Sequence, residues 1–330
     1  MAMISIRKRC VIVLLMGLAA MAMLLSGCAT TDPNGTAFRY ANPDYRHMRD
    51  LPQNQSAVWG AKQPPTPQLP EITGDEHEAT GDALLKQGNF PFAYLQYQKA
   101  LSKKPGSPRI AFKIGMTYLM AGKLDDARSR FEAVLAKSPD NPAVLEGMGR
   151  VCFLKRDYAA AEAYFVRAVS LNRRLWQSHN FLGYIYDFRK EHAKAITHYM
   201  SALAAKPDWG IAYNNLGVSY TLAGRKTEAV DAFKAALAHR YKRPKVYNNL
   251  GLALANLKEY GQALAAFKQA GNEPMAYNNL GGIYFRDGNY DEAIRCFETA
   301  ARLDPRFNAR VRKNLNIALM HKKKAGQSIP

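Results

Sequence analysis

The chain has 330 residues, is 48% hydrophobic, and sets 46 Lys and Arg against 27 Asp and Glu for a formal charge of +19. Its 23 Gly, 17 Pro and 4 Cys are too few for a collagen-like, low-complexity or disulfide-stapled chain, and one long apolar run is too few for a polytopic membrane protein. The basic balance favours anionic partners but selects no fold.

The N-terminus reads as an address. Arg7, Lys8 and Arg9 precede an apolar run from Val11 to Leu25. That run is shorter than the ~20 residues that cross a bilayer, and a basic segment before a short apolar one is the pattern of a secretory signal. It closes on Leu25-Ser26-Gly27-Cys28, which resembles the bacterial lipobox. The resemblance implies a signal peptide over 1–27, removed before Cys28, whose thiol then carries diacylglycerol. Ala29, where an Asp would imply retention, points by similarity to enterobacterial lipoproteins to a periplasm-facing anchor in the outer membrane. Two or three acyl chains hold a protein stably where one does not. An ordinary signal with an incidental Cys is the other reading. Cys10 would leave with the signal. Cys152 and Cys296 remain, too far apart in the scheme below for a disulfide and without a Cys or His at zinc-ligand spacing, so no metal is expected.

Residues 28–73 form a linker rich in proline, with Pro33, Pro43, Pro52, Pro64, Pro65, Pro67 and Pro70 and no helical periodicity. It is expected to be disordered, polyproline-like near its end, and able to reach up to ~140 Å from the anchor. Tyr40, Tyr45 and Trp59 could dock on a surface; a solvated tether is the plainer reading.

From residue 74 the chain repeats. Gly81, Gly115, Gly149, Gly183, Gly217, Gly251 and Gly281 fall at intervals of 34, with 30 for the last. Twelve residues after each comes Ala93, Ala127, Ala161, Ala195, Ala229, Ala263 or Ala293, and four further an aromatic: Tyr97, Phe131, Phe165, Tyr199, Phe233, Phe267, Phe297. Spacings of 3 and 4 place each set on one helix face. A glycine such as Gly88 or Gly224 ends the first helix, and Pro105, Pro139, Pro207 and Pro305 stop the second. The glycine and alanine let two helices approach closely, and the aromatic is expected to fill the space between neighbouring units.

This 34-residue pattern resembles the tetratricopeptide repeat (TPR). The resemblance implies an all-α, right-handed superhelix (an α-solenoid) of seven helix–turn–helix units: 74–107, 108–141, 142–175, 176–209, 210–243, a short 244–273, and 274–307. Residues 308–330 then supply a capping helix, expected over 308–321 with Val311, Leu315, Ala318 and Leu319 inward, and a basic tail.

In TPR proteins unit positions 2, 5, 6, 9, 12 and 13 line the concave face, and the resemblance implies an extended peptide or protein partner there. In units one to four those positions include Phe112, Met116, Leu119, Phe153, Phe181, Tyr184 and Phe188, apolar residues not required for packing between units. They could instead be partly covered by the curl of the superhelix or by the linker folding back. In units five to seven position 6 is Asn215, Asn249 and Asn279, within three copies of Tyr-Asn-Asn-Leu-Gly, and position 5 is Asn180, Asn214, Asn248 and Asn278. A carboxamide donates and accepts, so a row of them could hold a peptide backbone without reading its side chains. This is similar to the asparagine ladder of the nucleocytoplasmic N-acetylglucosamine transferases, although no transferase domain is present. Asparagine merely tolerated at solvated positions, or bonding within the helix end, is the alternative.

No catalytic constellation or phosphate loop appears, so neither an enzyme nor a cofactor is expected. His179 occupies a core slot, and His192 and His198, six apart, do not share a helix face. Export argues against nucleic acid. The combination of lipobox and TPR array resembles the assembly lipoproteins of type IV and Tad (Flp) pili; a scaffold for peptidoglycan enzymes and a spacer without a ligand are the alternatives.

Overall fold

The computed structural model describes residues 72–304 and 308–327. The expected signal peptide, Cys28 and the linker up to residue 71 lie outside the described residues. Among the described residues there are fifteen α-helices and no strand. They run α1 Gly74–Lys86, α2 Phe90–Lys103, α3 Pro108–Met120, α4 Leu124–Leu135, α5 Pro142–Leu154, α6 Tyr158–Leu171, α7 Trp176–Phe188 and α8 His192–Ala205. They continue with α9 Gly210–Leu222, α10 Lys226–Ala238, α11 Pro244–Asn256, α12 Tyr260–Ala270, α13 Glu273–Arg286, α14 Tyr290–Leu303 and α15 Asn308–Gln327. None of these helices is long and apolar enough to cross a membrane. The chain forms two compact units, one ending at Pro207 and one beginning at Asp208. Inside each unit, consecutive helices pack as pairs and each pair packs on the next.

Local chemistry sets the helix ends. Thr73 and Glu76 close a capping box on α1, the Glu76 amide donating to Thr73 Oγ1 at 3.3 Å and the Thr73 amide to Glu76 Oε2 at 2.7 Å. Pro108, Pro142 and Pro244 open α3, α5 and α11, where a missing N–H costs nothing. Between the two helices of every repeat one residue is left-handed: Gly88, Gly122, Gly224 and Gly288, but also Arg156 (φ 65°), Lys190 (64°) and Lys258 (66°). The third, fourth and sixth repeats thus make the same corner without glycine.

The repeated columns form the core. The seven aromatics are each at most 2% exposed. Each lies over the glycine of its own repeat, where an added Cβ would sit 2.5–2.7 Å from a ring carbon. The glycine column is therefore the seat of the aromatic column, more specific than a general closeness of helices. The rings also bridge repeats in places: Phe131 lies against Gly147, and Phe165 stacks on Phe181 at 4.9 Å.

The terminal helix departs from expectation. It continues to Gln327 instead of giving way to a tail after 321. Val311 and Ala318 are fully buried and Leu315 packs beside them, but Leu319, expected to face inward, is 45% exposed. A helix advances by about 100° per residue, so Leu319 falls past the edge of the Val311–Leu315–Ala318 stripe. The basic end is held: Lys322 pairs with Asp291 at 2.5 Å and His321 meets Phe285 edge-on.

Candidate functional site

The Tyr-Asn-Asn-Leu-Gly copies open α9, α11 and α13, all in the C-terminal unit. Leu216, Leu250 and Leu280 are buried and each glycine is covered by its aromatic, so both asparagines of each copy are fixed in place. Sequence reasoning expected their amides to stand open. The structure corrects this for Asn214, Asn215, Asn249, Asn278 and Asn279, which are buried, as is Asn180 in α7 of the other unit.

Among them, Asn214, Asn215, Asn249 and Asn278 bond to other amides. Asn249 Nδ2 donates to Asn214 Oδ1 at 3.3 Å, Asn214 Nδ2 donates to Asn215 Oδ1 at 3.3 Å, and Asn314 Nδ2 in α15 donates to Asn278 Oδ1 at 3.0 Å. A run of amides knits first helices together, since leaving any of them unpaired in a buried site would cost ~1–3 kcal/mol.

Among the described residues the run breaks at Asn248. The equivalent bond between repeats six and seven would join Asn279 to Asn248, where the link is four residues shorter than elsewhere. Asn248 Oδ1 is buried and has no hydrogen-bond partner, while Asn248 as a whole is half-buried.

The apolar candidates in the N-terminal unit divide. Leu119 and Phe181, expected on an open face, are at most 2% exposed and belong to the core. Phe112 lies 5.9 Å from the Phe131 ring, and with Met116 it covers the cluster around Met148. Phe153, at the end of α5, meets Phe181 at 4.8 Å and Tyr184 at 5.2 Å, both edge-on. Tyr158 continues to Phe188 at 5.1 Å, and Phe188 is 43% exposed. Burial pushes the Tyr184 phenol up to about 12. The aromatic step from α5 to α7 is thus mostly packed, with Phe188 presented at its edge.

An imidazole pair escaped the sequence reading. His179 Nδ1 and His198 Nδ1 lie 3.1 Å apart, with ring centroids 5.4 Å apart, and the Tyr186 ring stacks on His198 at 5.3 Å. Desolvation lowers both imidazoles, His198 to about 4. The signal was present in the register: unit positions 4 and 23 face one another, and in the first repeat they hold His77 and Gln96, bonded at 2.7 Å. His192 instead pairs with Asp187 at 2.9 Å. Among the described residues no group of three or more His, Cys, Asp or Glu could hold a metal ion. Both described thiols are raised by burial, Cys296 to about 11, which keeps them protonated.

Repeated helical hairpins, a glycine seat under one aromatic per hairpin, and a left-handed corner between the helices define an all-α repeat fold. Tetratricopeptide repeat profiles match residues 78–142, 112–179, 155–208, 182–244, 223–274 and 274–307, and the chain belongs to the tetratricopeptide repeat family. Among curated proteins no relative matches the chain. Among solved structures, it is similar to the C-terminal part of a TPR protein from Cytophaga hutchinsonii, at 18% identity and a TM-score of 0.55 over 72% of this chain and 98% of that one. It is also similar to MamA, at 30% identity and a TM-score of 0.42 over 49% of this chain and 95% of that one. Pseudomonas aeruginosa pilF follows at 18% identity and a TM-score of 0.47, over 60% of this chain and 92% of that one. TPR arrays serve protein–protein interaction and are generally non-enzymatic adaptors.

Proposed function

We propose that this protein is a non-enzymatic adaptor that takes an extended segment of a partner polypeptide along α11 and α13, with the half-buried Asn248 holding its backbone. The observation that carries this reading is the buried, partnerless Oδ1 of Asn248, where the amide run breaks between repeats six and seven. A buried carbonyl without a donor costs ~1–3 kcal/mol; Asn248 as a whole is only half-buried, so a turn of its side chain would bring Oδ1 to a backbone N–H of a bound chain and remove that cost. Recognition through backbone groups tolerates many partner sequences, which suits an assembly factor. Phe188, exposed at the edge of its aromatic step, would offer an apolar contact to a partner of the N-terminal unit.

The Leu25-Ser26-Gly27-Cys28 motif supports attachment of this adaptor through acylated Cys28 to the periplasmic side of the outer membrane, in assembly of a pilus or secretion machine. The test is a crosslinking capture from envelope extract with Asn248→Ala, its melting curve recorded in parallel. Loss of partners at unchanged stability supports the reading; full capture by the variant overturns it. Palmitate labelling of the Cys28→Ala variant would overturn the anchor.

A further inference from the structure

The N-terminal unit contains a cleft separate from the amide run. This open cleft of about 760 Å³ is walled by α6, the turn at 172–175, His179 of α7 and α8, and the His179 ring already faces His198 at 3.1 Å. Its apolar surface comes from Val166, Val169, Ala204 and Ala205, with Val166 43% exposed. Arg173 and Arg174, both exposed, stand on the turn, and no acidic residue lines the cleft.

The hydroxyls in the cleft are already committed. Ser170 donates to the Arg167 carbonyl at 2.8 Å and Ser201 to the Thr197 carbonyl at 3.0 Å. The donors available to a ligand are therefore the two guanidiniums. Other cations of these helices have acids of their own: Arg167 pairs with Asp140 at 2.6 Å, Arg189 with Glu162 at 2.5 Å and Lys194 with Glu191 at 2.5 Å. Arg173 and Arg174 have no acidic partner among the described residues.

The turn that bears them is pinned twice. The Arg174 amide donates to Asn172 Oδ1 at 3.0 Å, and the Leu175 amide donates to the Asn172 carbonyl at 3.2 Å. Two adjacent guanidiniums on a fixed turn beside an apolar floor are preorganised for carboxylates, which they can grip in bidentate fashion.

We propose that this cleft docks an acidic, partly apolar segment of a partner polypeptide, with its carboxylates on Arg173 and Arg174 and an apolar side chain over Val166, Val169 and Ala204. The segment would be a second contact for a client, or the contact of a different client, and it does not depend on the amide run. The chain's excess of Lys and Arg over Asp and Glu would draw such a segment in.

The test is fluorescence anisotropy of the full chain with a rhodamine-labelled octapeptide of alternating Glu and Leu at physiological ionic strength. A peptide with Gln in place of Glu runs in parallel. Arg173→Glu/Arg174→Glu is expected to weaken binding about tenfold or more, as loss of charge-assisted bidentate pairs does. Arg156→Glu/Lys190→Glu makes the same change in net charge at exposed positions outside the cleft and is expected to stay within about twofold. Val166→Asp, at the floor, is expected to weaken binding with the arginines intact. Asn248→Ala is expected to bind the peptide as the parent does, so failure of this site and failure of the amide reading are distinguishable. The proposal is overturned if the Gln peptide binds equally well, if both charge reversals lose equally, or if the parent shows no saturable binding.

Discussion

Placing a single methyl group at Gly217 tests the reasoning about the core most directly. In the Gly217→Ala variant the new Cβ would lie 2.7, 2.8 and 3.0 Å from Cε1, Cδ1 and Cζ of Phe233, a ring only 1% exposed. Contact distances between carbons are about 3.5–4.0 Å, so the ring must move by roughly an ångström in a packed core. Overpacking of this kind costs ~1–3 kcal/mol. Alanine is otherwise the better helix former by about 1 kcal/mol, so the net loss should be ~0–2 kcal/mol, set against the gain that alanine brings at an open helical glycine. Gly282, one residue after a column glycine in α13, has nothing within 4 Å of an added Cβ and provides that comparison. Urea denaturation followed by circular dichroism should show Gly282→Ala above the parent and Gly217→Ala at or below it. In a Phe233→Leu background, where the ring is gone, Gly217→Ala should move towards the Gly282→Ala gain. Equal stabilisation by both alanines in the parent would refute the glycine seat.

Arg156→Gly and Lys190→Gly should each raise the denaturation midpoint slightly: a left-handed residue with a Cβ costs ~1–2 kcal/mol, of which glycine's unfolded-state entropy returns part; Lys258→Gly should not, because it also removes the Lys258–Asp287 ion pair at 2.6 Å. Asn214→Ala should lower stability by about 1 kcal/mol, because it strands the Nδ2 donor of Asn249, whereas Asn248→Ala should be neutral or stabilising because its buried oxygen is already partnerless; thermal melts of the two separate these outcomes. The His179–His198 pair should make stability fall in acid. Both imidazoles are depressed in the folded chain, so the unfolded chain binds protons first; the protein is at full stability above the ordinary imidazole value of ~6.5 and loses it as the pH falls towards about 4. Urea titrations across this range should show the slope flattened in His179→Leu/His198→Leu; an unchanged slope would assign the acid sensitivity elsewhere.

The repeat register was legible because glycine, alanine and aromatic columns interlock within one hairpin, so sequence spacing alone implies the contact. Depth was harder to read. Helical spacing placed the asparagines on one face, but their burial depends on how closely the neighbouring first helix lies, and Asn249 reaching Asn214 is a contact across 35 residues. The break at Asn248 coincides with a shortened link, whose effect on one bond no periodicity reveals. Leu119 and Phe181 were misplaced for the same reason: a position that faces outward in an isolated hairpin is covered once the adjoining hairpin packs against it. His179 and His198 sit 19 residues apart, outside any single-helix rule, and become neighbours only when positions 4 and 23 are compared from repeat to repeat.

The amide run also bears on how such a chain can change over generations. Hairpins of one length are usually treated as interchangeable beads, to be copied or removed without harm. Here the fifth and sixth are joined by a donor on one and an acceptor on the other, and the seventh is joined likewise to the closing helix. Deleting the sixth hairpin would strand an acceptor on the fifth unless the seventh took over the task, and inserting a hairpin without asparagine would leave a polar group on each flank. The order of these hairpins is therefore held by their hydrogen bonds, and tolerated shuffling should be confined to stretches that lack the motif.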